Sequence, residues 1–174
     1  RIEPRKNQLN LIRAMKESPV PLVIVGDPVS HHQAYYERCR READGAVRFL
    51  GSFLQNSEEL RSACAACSVF ALPTWFETPG LAALEAACAG AKLVITREGA
   101  TREYFGDFAD FVNPASVLDI REKIMRALAR GKREQQRQYF AARYLWQHTA
   151  EQTLDAYRKV GFNQEKPQQA GEKK

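Results

Sequence analysis

Val69-Phe70-Ala71-Leu72-Pro73, then Thr74 to Thr78, then Pro79-Gly80-Leu81-Ala82-Ala83-Leu84-Glu85-Ala86-Ala87-Cys88-Ala89-Gly90, then Lys92-Leu93-Val94-Ile95-Thr96: this order reads strand, loop, helix, strand. Both outer runs are short and continuously apolar, as strands of a sheet covered on both faces are. Between them, Thr78 is a good N-cap, Pro79 suits a first helical position and Gly90 suits a helix end, so the spacing predicts a helix over 79–89. Strand, crossover helix, strand is a parallel βαβ unit.

The same alternation extends in both directions, at intervals of about 20–25 residues, which predicts an α/β, Rossmann-like three-layer domain with a parallel sheet. Further strands are expected at Pro21–Gly26, Ala46–Gly51 and Asp110–Val112. Helices are expected over 7–16, from a Ser30 cap through Ala43, from Asn56 or Ser57 through Ala66, and over 116–130. A last helix over 132–160 should break or bend near 140–144. Because the chain opens on a loop and a helix, a first strand is expected upstream of residue 1. The domain then spans 1–162. From 163 to 174, Gln, Glu, Lys, Pro and Gly displace apolar residues, the composition of a disordered tail.

Composition narrows the class. The chain has 174 residues, 44% hydrophobic and 27% charged, with net charge +5; its mean hydropathy is −0.47 and its pI about 9.1. That suffices for one core of ordinary size. No apolar run approaches the roughly 20 residues of a membrane span, and no signal peptide is visible in this stretch. The basic excess suits an anionic ligand or an acidic membrane surface, but interspersed Glu residues also fit an ordinary solvated face. No basic run is interleaved with aromatics, so nucleic acid is not an expected partner. Cys64-Ala-Ala-Cys67 has metal or redox spacing but no second ligand pair, and it falls in a helical segment. The four cysteines read as reduced thiols, which points to the cytoplasm, with peripheral association at the cytoplasmic face of a membrane as an option.

Ligands of open parallel sheets sit in the loops after the strands' carboxyl ends, which nominates the segments after Gly26, Gly51, Pro73 and Thr96. The segment after Pro73 carries the chemistry. A helix starting there presents unpaired amides and the positive end of its dipole, a phosphate site, and Gly80 lets an anion come close. Glu85 is flanked by apolar or small residues on every side, so the helix reads as buried and Glu85 as a carboxylate that needs a partner, either an Arg or the hydroxyls of a ligand. From Thr78 to Glu85 a helix rises roughly 10 Å, whereas glycosidase carboxylates stand about 5–9.5 Å apart. Glu77 and Glu85 are therefore expected at the two ends of one elongated ligand with a negative centre, the layout of a nucleotide sugar.

Glu77 and Glu85, in the setting Glu-x-x-Gly-Leu-x-x-x-Glu-Ala-x-x-x-Gly, resemble the hallmark of retaining glycosyltransferases of the GT-B fold. Arg1-Ile2-Glu3-Pro4-Arg5-Lys6-Asn7 resembles that family's Gly-Arg-x-x-x-x-Lys-Asn element without its leading Gly. Val23–Gly26, Val47–Gly51 and Gly99–Glu103 fall at matching intervals, so the resemblance covers about residues 1–160. It implies the C-terminal, donor-binding half of such an enzyme, moving a hexose from a nucleotide diphosphate sugar to a glycan, lipid or similar acceptor, with retention at the anomeric carbon. Arg1 and Lys6 would bind the diphosphate and neutralise the leaving group. The amides of Gly80 and Leu81, with Thr78 beside them, would hold the distal phosphate; Glu77 would bind sugar hydroxyls and Glu85 the ribose. The loop Gly51–Leu54 would lie near the base, and Glu103 would be an anchor or a ligand contact. No cofactor and no metal would be required, in keeping with the lack of an Asp-x-Asp pair near the phosphate site. The acceptor site would lie in a preceding N-terminal domain, so this fragment alone would transfer nothing. Thr78-Pro79 replaces the family's commoner Phe before Gly80, which should stiffen the helix entry without removing the phosphate site and weakens any inference about which sugar fits.

Trp146 and Tyr157, with Leu145, Leu154 and Val160, read either as core or, by the resemblance, as a helix crossing back to the missing domain. Two alternatives stand beside the main reading. One is a non-enzymatic phosphate-binding module with Glu85 in a structural ion pair; the other is a sugar-nucleotide epimerase of the same architecture.

Overall fold

The computed structural model of the chain describes residues 1–131 and 134–161; the expected tail and the start of the last helical segment lie outside them. The strands are β1 (Leu22–Ile24), β2 (Val47–Phe49), β3 (Val69–Leu72), β4 (Lys92–Thr96) and β5 (Ala109–Val112). The α-helices are α1 (Gln8–Ala14), α2 (Gln33–Glu42), α3 (Glu58–Ala66), α4 (Leu81–Cys88), α5 (Thr101–Phe105), α6 (Val117–Ala129), α7 (Glu134–Ala141) and α8 (Trp146–Lys159). Every strand pairing is parallel: β1 with β2, and β3–β4–β5 in that order.

Period-2 alternation sorts β4 between two helical layers. Leu93 and Ile95 pack with Ala83, Leu84, Ala87, Phe105 and Phe140, under α4, α5 and α7. Val94, between them, packs with Leu11, Ile120 and Ile124 on the opposite side, under α1 and α6. All five β4 residues are buried, the pattern of a central parallel strand. Around β1 and β2, Ile2, Leu9, Ile12, Cys39 and Val47 form a smaller cluster with α1 and α2. The two sheets are joined at their carboxyl ends by residues 1–7. Ile2 bridges Pro28 in parallel, Arg5 O accepts from Trp75 N–H at 3.0 Å, and Asn7 Nδ2 donates to the carbonyls of Pro73 at 2.8 Å and Pro114 at 2.9 Å.

Two buried charges are handled by helix 6. Lys92 Nζ donates to the carbonyls of Leu128 and Arg130, the end of α6, where the helix dipole favours a cation. Asp110 lies against Arg126 and Arg130. Burial pushes its carboxyl up, but the two guanidiniums outweigh that and hold it below the usual range.

Several expectations about helix ends change. Ser57 caps α3, accepting from Leu60 N–H, and Ser116 caps α6, accepting from Asp119 N–H. Ser30 caps nothing, because a 3-10 turn over Ser30–His32 precedes α2. The first helix starts at Gln8, after a 3-10 turn over Pro4–Lys6 that Asn7 closes in the left-handed region. The expected 79–89 helix starts only at Leu81: Gly80 is its N-cap with φ 62°, so Thr78 is no cap and Pro79 no first turn. The loop after β4 holds α5, a helix that Gly99 and Ala100 did not announce. The last segment does break, after Ala141. Beyond the break α8 lies on the surface with Trp146 70%, Tyr157 56% and Val160 77% exposed, which overturns the core reading of that stripe. Among the described residues no helix is long and apolar enough to cross a membrane.

Phe140, fully buried in the cluster that α7 shares with α4, should be the costliest single truncation. Phe140→Ala is expected to lower stability by about 3–5 kcal/mol in urea unfolding, and a loss under about 1 kcal/mol would mean α7 does not dock. A second expectation concerns pH. Arg13 grips Glu42 with two bonds, at 2.6 and 2.7 Å, joining α1 to α2. These bonds, with help from Arg38, pull the Glu42 carboxyl down to about 2. A depressed carboxyl stabilises the fold above its unfolded pKa and loses that contribution as pH falls through the folded one. Glu42→Gln should therefore flatten the acid limb of the stability curve between about pH 4.3, the ordinary Glu value, and about pH 2; an unchanged limb would contradict this.

Candidate functional site

The loop after β3 is threaded between two others. On one side Glu77 forms a parallel bridge with Gly99: Glu77 N–H donates to Glu98 O at 3.2 Å, and Ala100 N–H donates to Glu77 O at 3.1 Å. A Cβ on Gly99 would stand 2.0 Å from Glu77 O, and Gly99 has φ 96°, so only glycine fits. On the other side stands the turn Pro4–Lys6. Arg5 O accepts from Trp75 N–H, and Arg5 Nη1 donates to Phe76 O at 3.1 Å.

Threading in this way buries the Glu77 carboxylate, which is 7% exposed as a residue. Its charge is met by Lys6 Nζ at 2.7 Å, with Arg5 Nη1 at 4.0 Å. Two cations from the first turn thus face one carboxylate from the third strand's loop. Arg5 was not among the residues picked from sequence. The signal was its place beside Lys6 in a Pro-initiated turn, which brings both cations to the same loop. Arg1 lies at the end of β1, its carbonyl accepting from Gln8 Nε2 at 2.9 Å and its side chain exposed. A Cβ on Gly26 would come within 2.9 Å of the Arg1 backbone, so Gly26 is what lets this segment lie across β1.

Next to Glu77, α4 begins. Ala83 and Leu84 donate to Gly80 O, but the amides of Gly80, Leu81 and Ala82 find no acceptor among the described residues. A Cβ on Gly80 would touch Glu77 Cγ at 3.4 Å, so the helix start and the carboxylate are neighbours. Glu85 differs from its expectation. Ala83, Leu84, Ala86 and Ala87 are buried, while Leu81, Ala82 and Glu85 share an exposed face. The helix is therefore one-sided rather than buried all round, and Glu85 needs no partner to be tolerated. None of the described residues bonds to its carboxylate. It lies beside Cys64 and Cys88, whose thiols are pushed up by burial first and by this carboxylate second. All four cysteines are free, and these remain protonated thiols.

Two peripheral assignments diverge. Gly51–Leu54 is tied to the loop after β1, with Gly26 N–H donating to Gly51 O and Ser52 Oγ to Asp27. Leu54 there is 83% exposed, at the carboxyl end of β2 where a ligand rim is expected. Glu103 is exposed on α5, and no partner holds its carboxylate among the described residues. Taken together, the arrangement offers cations and free amides to an anion, flanked by one buried and one exposed carboxylate.

The family profile described as glycosyl transferases group 1 matches residues 1–144. A D-inositol 3-phosphate glycosyltransferase of Nocardioides sp. is 31% identical over 191 residues, covering 92% of this chain and 40% of that protein. Sucrose-phosphate synthase from Thermosynechococcus elongatus superposes with a TM-score of 0.79 at 23% identity, over 91% of this chain and 43% of its own. Anabaena HepE, solved in complex with UDP and glucose, superposes with a TM-score of 0.77 at 20% identity, over 91% and 46%. These likenesses make the fold that of GT-B glycosyltransferases, and the chain spans less than half the length of each of these three proteins.

The Lys6–Glu77 contact can be measured without any ligand. Lys6→Met leaves a mostly buried carboxylate with only a distant Arg5, and should cost about 2–4 kcal/mol. Glu77→Gln in the same chain should recover part of that. A double-mutant cycle is expected to give a coupling of about 1–3 kcal/mol; additive effects would show that the pair is not formed.

Proposed function

The chain belongs to the group 1 glycosyl transferases, and we propose that it is the nucleotide-sugar-binding half of a retaining hexosyltransferase. One observation carries the reading: two cations and three helix amides that are unengaged among the described residues converge beside a buried carboxylate, with a second carboxylate exposed one turn further along α4. A nucleotide diphosphate sugar has the matching sequence of groups. Its diphosphate takes the amides of Gly80 and Leu81, with Thr78 beside them, and the charges of Lys6 and Arg1. The sugar hydroxyls take Glu77, and the ribose hydroxyls reach Glu85.

In transfer, the bond from the anomeric carbon to the diphosphate oxygen breaks, an acceptor oxygen bonds to that carbon, and the acceptor's proton is released. Negative charge grows on the departing diphosphate, and this half of the enzyme acts by meeting it with fixed cations and amide dipoles. Because those groups supply the counter-charge, the reading includes no metal and no cofactor. A preceding domain of the same polypeptide brings the acceptor, a glycan or a lipid, to the facing side of the cleft. The exposed stripe of α8 packs against the other domain, and the chain by itself transfers nothing. The parent enzyme works in the cytoplasm or at the cytoplasmic face of a membrane.

Titrating UDP-glucose, GDP-mannose and ADP-glucose into the full-length protein tests the proposal. One nucleotide class should bind, Lys6→Ala should weaken it at least tenfold, and Glu85→Ala should weaken sugar nucleotide and free nucleotide alike. No binding of any of the three would remove the donor-binding reading. Product formed with inverted anomeric configuration would remove retention alone.

A further inference from the structure

Trp75 and Phe76, immediately before Glu77, are 46% and 55% exposed. Among the described residues neither ring stacks on another or lies under a cation. Loose structure does not explain this exposure. Arg5 holds the backbone of both residues, accepting from Trp75 N–H and donating to Phe76 O, while Glu98 fixes the next amide. A segment pinned from both flanks thus presents two large rings to solvent, although burial would be favourable.

We propose that Trp75 and Phe76 form the apolar wall of the sugar subsite, taking the C–H face of the donor's pyranose ring. The inference rests on the donor-binding reading above. A pyranose is amphipathic: hydroxyls line its rim, and its faces carry C–H groups with slight positive charge. Aromatic faces are negative, so they attract such C–H groups while shedding water. A carboxylate alone grips the hydroxyl rim but leaves the apolar faces wet. Glu77 and the two rings leave the backbone at consecutive positions, so one rigid loop supplies both halves of what the sugar needs. Arg5 becomes the positioning residue of this wall, and the loop's threading through Gly99 sets its distance from the anion site.

The test compares the best-binding sugar nucleotide from the titrations above with its free nucleotide diphosphate, UDP or GDP, on the full-length protein. Replacing both rings by Ala should weaken the sugar nucleotide about tenfold and leave the free diphosphate within about twofold, while Trp75→Phe alone should retain most of the affinity. Saturation-transfer NMR on the unmodified protein gives an answer that does not depend on any variant folding. The sugar-ring C–H protons should take up saturation as strongly as the base protons. Weak transfer to the ring protons, or an equal loss of both ligands in the Ala variant, would overturn the wall; the equal loss is the result expected if the rings instead pack on a neighbouring domain. Failure of the unmodified protein to bind either ligand would sink the donor-binding reading, and this one with it.

Discussion

Everything in the site depends on how closely the loop after β3 approaches the loop after β4. Glu77 and Gly99 pair as isolated bridge residues, at a separation that leaves no room for a Cβ. That approach turns Glu77 inward, and a carboxylate turned inward must be paired. Lys6 and Arg5 answer the requirement from the far end of the sequence. One backbone contact therefore dictates where the first turn of the chain lies and brings its cations to the start of α4.

Stability and site are supplied by different parts of the molecule. The core around β4 draws on α1, α4, α6 and α7, with Leu93, Val94 and Ile95 fully buried. The site draws on segments that precede or join these elements: residues 1–7, 75–81 and 98–100. A rigid parallel sheet holding its chemistry in the loops at the strands' carboxyl ends is the general plan of such folds. Here the loops are also tied to one another by backbone bonds, so they inherit the rigidity of the sheet without entering the core.

The strands were legible because β3 and β4 are continuous apolar runs, which an α/β sheet requires and a surface element rarely has. The Lys6 and Glu77 positions were legible through their family spacing, but their mutual contact was not, since 71 residues separate them. Helix starts failed where side chains mislead. Thr78-Pro79 has the composition of a cap and first turn, yet Gly80 adopts a left-handed conformation and starts the helix two residues later. Glu85 failed for a related reason. Alanines are compatible with both a buried and an exposed face, so Leu81-Ala82-Ala83-Leu84 could not reveal which side of α4 met solvent. Arg5 was missed because its hydrogen bond to this loop runs to a backbone carbonyl, that of Phe76, so only its place beside Lys6 in a Pro-initiated turn marked it.

The two carboxylates now differ in a way that bears on ligand entry. The Glu85 carboxylate is exposed and has no partner among the described residues, so accepting hydroxyls from a ligand requires it to give up only water. Glu77 is buried and bound to Lys6, so a diphosphate bound as proposed would compete with it for that ammonium. Such an exchange trades one ion pair for another, and its net gain is small compared with the gross attraction. Affinity in the proposed complex then draws on groups that have no partner to abandon among the described residues, the amides of Gly80 and Leu81, the exposed Arg1 and the two uncovered rings, whereas deleting Lys6 is costly because it leaves the Glu77 carboxylate uncompensated beside the diphosphate. A Glu77 carboxylate released from Lys6 regains its bonding capacity at the moment a sugar is beside it. On this reading the Lys6–Glu77 pair keeps a buried charge satisfied until the ligand's phosphate and hydroxyls can replace each partner for the other.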